Sequence, residues 1–164
     1  MGNFFSFLIF FSITTFASVN CMQLKEKYKD WFLYTTLEDG EMTCYIISYP
    51  KEKSKHYTSI RKPYVMVSYI NKEVDEVSVT SGFQYDKEPV VLDVDKKVRY
   101  VLPIVQGNFA WTEYTETDKD LILKMKQGLS MVVSGKTKAE IVNDTYSLLG
   151  FQEAYKKMHN SCYK

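Results

Sequence analysis

The run Val90-Val91-Leu92-Asp93-Val94-Asp95-Lys96-Lys97-Val98-Arg99-Tyr100-Val101-Leu102 decides the fold class. Val90, Leu92 and Val94 recur at every second position, so in an extended chain their side chains share one side. Asp95-Lys96-Lys97 is a polar break, after which Val98, Tyr100, Leu102 and Ile104 resume the alternation. Two antiparallel strands joined by a turn, dry on one face and wet on the other, is the economical reading.

Working toward the N-terminus, Val77, Val79, Ser81, Phe83 and Tyr85 alternate against Glu76, Ser78, Thr80, Gln84 and Asp86, and the stretch from Tyr64 to Ile70 is strand-like. The hydrophilic run Lys51-Glu52-Lys53-Ser54-Lys55-His56 has no periodicity and reads as a solvated loop. Before it, Met42, Cys44 and Ile46 share one side of a strand closed by Pro50, and Trp31 to Tyr34 begins an earlier strand that ends at the turn Glu38-Asp39-Gly40. The charged segment from Gln23 to Asp30 shows no element. Toward the C-terminus, Phe109-Ala110-Trp111 forms a short strand. A helix over about 117–127 follows, with Asp118 and Asp120 early, Lys124 and Lys126 late and Gly128 at its stop, a charge order that complements the helix dipole. Met131 to Val133 and Asp144 to Leu148 read as strands, and Phe151, Ala154, Tyr155 and Met158 mark one face of a final helix over about 151–160, with Cys162 continuing it. The expected fold is mainly β, of the α+β kind: a single antiparallel β-sandwich or flattened barrel with two short helices. No repeat or linker divides it.

The chain has 164 residues, 45% hydrophobic and 25% charged, with a formal net charge of +1. Those values suit one globular domain and give no electrostatic footprint for nucleic acid. Phe4 to Val19 is an uncharged, largely apolar block, too short and too diluted by Ser12, Thr14, Thr15 and Ser18 for a bilayer span. Residues 1–21 therefore read first as a secretory signal peptide, with cleavage at about 17–21, ahead of a domain over 22–164, a permanent anchor being the second choice. Met1-Gly2-Asn3-Phe4-Phe5-Ser6 matches a permissive myristoylation pattern by chance, and Asn20 is a poor neighbour for a lipidated Cys21. No membrane-spanning segment is expected in the mature chain, although membrane association stays open. In an exported protein Cys44 and Cys162, both on apolar faces, are expected to oxidise to a disulfide, the alternative being two buried free thiols.

Material for chemistry is sparse. Only His56 and His159 are imidazoles. His159 and Cys162 have a spacing that could touch one metal, but no second ligand pair exists. Ser130 to Thr137 ends in Gly-Lys-Thr like a phosphate-binding loop, yet Ser130 replaces its first glycine and Met131 to Val133 favours a strand. Asp93 and Asp95 read as a hydrated hairpin face, since nothing supplies further oxygen ligands. Asn143-Asp144-Thr145 fits a glycosylation sequon, which matters only in a eukaryotic secretory pathway. The reading is a protein with no enzymatic activity, metal, cofactor or nucleotide. It acts through protein binding, with Tyr57, Tyr64 and Tyr114 as candidate partner-binding residues because each neighbours a polar segment.

Several stretches carry a family resemblance. They are Glu76-Val77-Ser78-Val79-Thr80-Ser81-Gly82-Phe83, then Trp111, Met125-Lys126-Gln127-Gly128 and Met131-Val132-Val133-Ser134-Gly135. The most specific is Asp144-Thr145-Tyr146-Ser147-Leu148-Leu149-Gly150-Phe151-Gln152-Glu153-Ala154-Tyr155, ending at Cys162. Together these resemble the invasion-associated locus B family of alphaproteobacterial envelope proteins, over roughly Trp31 to Cys162. The resemblance implies a periplasmic, outer-membrane-associated or secreted protein linked to host-cell invasion in some members, with no assigned enzymatic activity. Its protein partner lies in the envelope or on a host cell. Two further readings accompany it: a structural or envelope-integrity accessory, and an enzyme or small-ligand binder whose site is scattered along the sequence. Family members commonly keep cysteines matching Cys44 and Cys162, and some have another shortly after the tryptophan matching Trp31, where this chain has Leu33 and Tyr34.

Overall fold

The structure, a computed structural model, describes residues 22–38, 41–52, 54, 61–70 and 73–162. The expected leader over 1–21 lies outside them. Among the described residues eleven strands and two helices follow one another: β1 (Gln23–Tyr28), β2 (Trp31–Glu38), β3 (Glu41–Ser48), β4 (Tyr64–Ile70), β5 (Val74–Thr80), β6 (Val90–Val94), β7 (Val98–Leu102), β8 (Ile104–Gln106), β9 (Phe109–Trp111), α1 (Thr115–Gln127), β10 (Ser130–Lys136), β11 (Ile141–Ser147) and α2 (Phe151–Cys162). The strands form two sheets, ordered β1-β2-β3-β4-β5-β9-β8 and β11-β10-β6-β7, with every pairing antiparallel. The arrangement is sandwich-like and does not close into a barrel.

The hairpin that opens the sequence argument is β6 and β7, in register from Val90↔Leu102 to Val94↔Val98. Asp95 and Lys96 at its tip have φ of 51° and 57°, the left-handed backbone that lets a tight turn follow the sheet's twist. The turn also serves a third strand. Asp95 Oδ1 accepts the backbone N–H of Leu129 at 3.0 Å and of Ser130 at 2.9 Å, fixing the entry to β10. The hydrated face read for the two aspartates therefore belongs to Asp93 alone, which pairs with exposed Arg99.

Three strand expectations change. The alternation through Ile104 does not continue one strand, because Pro103 offers no N–H to a ladder and Ile104–Gln106 joins the larger sheet. Phe83 and Tyr85 keep buried positions but lie past the end of β5, where Gly82 turns the chain with φ 75°. A Cβ on Gly82 would meet the backbone nitrogen of Lys62 at 2.6 Å, so the turn and the close crossing both require glycine. Finally, Gln23–Tyr28 is a strand. It is an edge strand with exposed charged side chains, so it lacks the apolar period that reveals a strand and carries the charge that discourages a further strand from adding.

Between the sheets lies one core that includes Trp31, Leu33, Ile46, Val65, Val79, Leu92, Met131 and Tyr146. Trp31 ties the layers together: its indole N–H donates to the Ser147 carbonyl at 3.1 Å, and its ring meets Phe151 edge-on at 4.8 Å. Helix α1 begins two residues earlier than expected, buries Asp118, Leu121, Ile122 and Met125, and ends with the Gly128 N–H donating to the Lys124 carbonyl. Helix α2 buries Phe151, Ala154, Met158 and Cys162 on the inward side of β2, β3 and β4. Cys162 is bonded there to Cys44 of β3, with a Cα–Cα distance of 6.0 Å across 118 residues of chain. Among the described residues no helix is long and apolar enough to cross a membrane.

Candidate functional site

Period two has a second consequence in the larger sheet. With Cys44 and Ile46 turned inward, Thr43, Tyr45, Ile47 and Tyr49 must turn outward. The registers extend that outward side across the sheet, since directly paired residues share a face. Tyr34, Tyr45 and Ser68 form one row, and Phe32, Ile47, Met66, Ser78 and Trp111 form another. Four strands, β2, β3, β4 and β9, thereby place aromatic or thioether side chains on the side away from the core, and β5 adds Ser78 between them.

The rings touch. Tyr34 and Tyr45 stack with centroids 5.8 Å apart, Phe32 meets Tyr49 edge-on at 5.8 Å, Tyr64 meets Phe109 edge-on at 6.1 Å, and Phe109 stacks on Trp111 at 5.8 Å. Lys27 places its ammonium 5.2 Å above the Phe32 ring at one margin. In the middle is a cavity of about 490 Å³ with apolar walls from Met22, Tyr45, Ile47, Tyr49, Tyr64 and Met66 and a polar contribution from Thr36, Thr43 and Ser68. Ile47 and Tyr45 are its buried floor, at 5% and 9% exposure, whereas Tyr49 at 44% and Met22 at 53% stand open at its mouth. The volume falls in the range of sites that hold a small molecule or the side chains of a docked segment.

The phenols there stay neutral. Burial, reinforced by a hydrogen bond with Tyr34 and by the neighbouring phenols, pushes the Tyr49 hydroxyl up to about 12, and burial raises Tyr64 as well. Each therefore presents an O–H donor and an acceptor oxygen beside an apolar ring at any physiological pH. Ser78, in the row between Met66 and Trp111, is buried, and its hydroxyl has no hydrogen-bond partner among the described residues.

A buried ion pair positions the entry to β4, and with it Tyr64. Arg61 donates from both terminal nitrogens to the Asp144 carboxylate at 2.7 Å each and to the Ser81 carbonyl at 2.8 Å. Its partner sits on β11 of the other sheet, so the fork of the guanidinium clamps the two layers just before the strand that carries Tyr64 and Met66.

Of the tyrosines singled out by sequence, Tyr64 lines the cavity. Tyr114 is 61% exposed at the N-cap of α1 and does not line it, so the structure does not bring these two together. Tyr57 lies outside the described residues, as does His56. Tyr45, Tyr49 and Met66 were missed, although for the two tyrosines the signal was present: they occupy the opposite phase of the alternation that placed Cys44 and Ile46 on one side of their strand.

The remaining chemical candidates disperse. His159 pairs with Asp75 at 2.9 Å while Cys162 is engaged in the disulfide. Gly135-Lys136 ends β10 as regular strand, where a Cβ on Gly135 would strike the Tyr85 ring at 2.4 Å. In the sequon, Asn143 is exposed and Asp144 is fully buried against Arg61. Among the described residues no three His, Cys, Asp or Glu side chains converge as metal ligands.

Compared with known proteins, the chain matches one family model, described as invasion associated locus B (IalB) protein, over residues 31–159. That match takes in β2 to β11, α1 and all but the last three residues of α2, and it leaves out β1. No curated protein and no solved structure matches it.

Proposed function

The chain belongs to the invasion associated locus B family, and from that premise we propose that it is an exported, non-enzymatic envelope protein whose outward aromatic face binds an extended apolar segment of a partner protein during contact with a host cell. The observation that carries this reading is the open aromatic trough on the larger sheet, with Tyr49 and Tyr64 at its wall and Ile47 and Tyr45 beneath. Tyrosine gives large contact area at small conformational cost and a hydroxyl for orientation, which is why such residues anchor protein interfaces. A long-range disulfide and the absence of a membrane-spanning helix among the described residues fit export.

The test has two arms. Cell fractionation with a surface-protease challenge should find the mature chain outside the cytosol and cleavable on intact cells. Purified protein should bind host cells saturably, and the variant Tyr49→Ser/Tyr64→Ser, altered only at cavity-wall positions, should lose at least about tenfold in affinity while melting at the parental temperature. Equal binding by the variant would remove the trough from the function. A protease-protected periplasmic protein, whose deletion makes the envelope leaky but leaves host entry normal, would favour the envelope-integrity role instead.

A further inference from the structure

On the opposite side of the larger sheet, α2 presents a second, chemically different surface. Gln152, Tyr155, Lys156, His159 and Asn160 recur at helical spacing along it, and with Lys126 from the last turn of α1 they line a cavity of about 320 Å³. No carboxylate lines this cavity. Neither Lys126 nor Lys156 is ion-paired among the described residues, whereas the next lysine, Lys157, faces Glu26.

The nearest acid is already committed. Asp75, on β5, accepts the Tyr155 hydroxyl on one oxygen and faces His159 Nε2 at 2.9 Å on the other. The His159 ring is held between Tyr69 at 4.2 Å and Tyr155 at 4.5 Å. With Nε2 turned to Asp75, Nδ1 is the ring nitrogen left for a ligand. Lys126 lies 3.6 Å from the Tyr155 ring centroid, a contact that fixes its head at the cavity without neutralising it. Burial lowers its affinity for the proton even against the pull of the Asp75 carboxylate in the other direction, so the ammonium there is short of solvation.

A partly desolvated ammonium, a second lysine without an ion pair and two side-chain amides that can turn their N–H groups inward surround one hollow that no carboxylate lines. We propose that this cavity binds a phosphate group carried on a small organic moiety, with Lys126 and Lys156 as the charge partners and Gln152 and Asn160 as amide donors. Lysine suits phosphate as a point charge. The volume exceeds what a bare phosphate fills, and the Tyr155 face supplies a wall for the attached group. A soluble phosphate ester and a phospholipid headgroup share this chemistry.

The experiment uses the mature, disulfide-bonded protein with three probes: inorganic phosphate, glycerol 3-phosphate, and phosphatidylcholine vesicles with or without phosphatidylglycerol. Binding is followed by amide NMR shifts for the soluble probes and by vesicle co-sedimentation. The expected result is saturable binding with shifts centred on residues 152–160, weakened about tenfold by Lys126→Met and again by Lys156→Gln. Lys157→Gln, on the neighbouring helix position, should leave it unchanged. Lys126→Met retains an unbranched stem against Tyr155, and an unchanged melting temperature certifies its fold. Response to glycerol 3-phosphate alone identifies a free ester as ligand, and sedimentation only with phosphatidylglycerol identifies a headgroup. Either supports the site. No saturable response to any probe, or equal binding by the folded Lys126→Met/Lys156→Gln variant, overturns it.

Discussion

Removing the Cys44–Cys162 bond is the perturbation whose size the structure fixes best. The bond closes a loop across a sequence separation of 118, and the chain-entropy relation assigns such a loop about 5 kcal/mol of unfolded-state constraint. An ordinary domain has a net stability of only about 5–15 kcal/mol. For a chain of this length that loss corresponds to a drop in melting temperature of roughly 15–20 °C. Both sulfurs are buried, at 0% and 1% exposure, so each serine replacement adds a smaller cost for a hydroxyl in an apolar site. The assay is thermal unfolding of Cys44→Ser, Cys162→Ser and the double variant in a Cys21→Ser background, which prevents a third thiol from forming a substitute bridge. Because one constraint is lost only once, the two single variants should melt alike and the double variant only slightly lower, far from the sum of the two effects. Reduced parent protein should join them. Strictly additive losses, or a single variant that melts like the parent, would refute the reasoning.

Other consequences are as open to measurement. Asp144→Ala leaves the Arg61 guanidinium buried without its carboxylate and should cost about 3–5 kcal/mol, whereas the double variant Arg61→Met/Asp144→Leu, with no charge left to bury, should recover most of that loss in chemical denaturation. Hydrogen bonds from the Ser130 and Leu129 backbone hold the Asp95 carboxyl below its usual proton affinity. A group whose folded affinity is depressed stabilises the fold above its unfolded pKa of about 3.9 and ceases to do so as pH falls through its folded value. Asp95→Asn keeps an acceptor and tolerates the left-handed backbone, so it isolates the charge. The parent should exceed it by roughly 0.5–1 kcal/mol at pH 7, discounted for solvent screening, and the gap should close below about pH 4.

What could be read from the sequence was whatever depends on local period. The alternation of Val90 to Leu102 and of Met42, Cys44 and Ile46 placed strands and, except at exposed Met42, their buried sides, and the acid-to-base order of α1 placed a helix to within two residues of its start. What could not be read depends on pairs brought together across many residues. Arg61 and Asp144 are 83 residues apart, and His159 and Asp75 are 84 apart. A trace of the first pair was nevertheless present, because Asp144 interrupts the inward series Val142, Asp144, Tyr146 at a position that wants an apolar side chain. A charge in such a slot demands a partner, and the chain has only two arginines. The trough was legible in the same way. Choosing tyrosines by their polar neighbours found Tyr64 but also Tyr114, whereas the outward phase of β3 would have given Tyr45 and Tyr49 directly.

The two covalent and ionic clamps bear on function through where they act. The disulfide fixes β3, which supplies Tyr45 and Ile47 and is followed directly by Tyr49, and the Arg61–Asp144 pair fixes the entry to β4, which supplies Tyr64 and Met66. Two of the strands that line the trough are thus anchored from behind. A partner meeting it loses less freedom to reordering than it would on a mobile loop, so a modest apolar contact suffices for affinity. The phosphate-binding cavity lies on the other side of that sheet, built on α2 rather than on the trough's strands. Substitutions at Tyr49 and Tyr64 should therefore leave phosphate binding intact, and substitutions at Lys126 and Lys156 should leave cell binding intact, so the failure of either proposal can be told from the failure of the other.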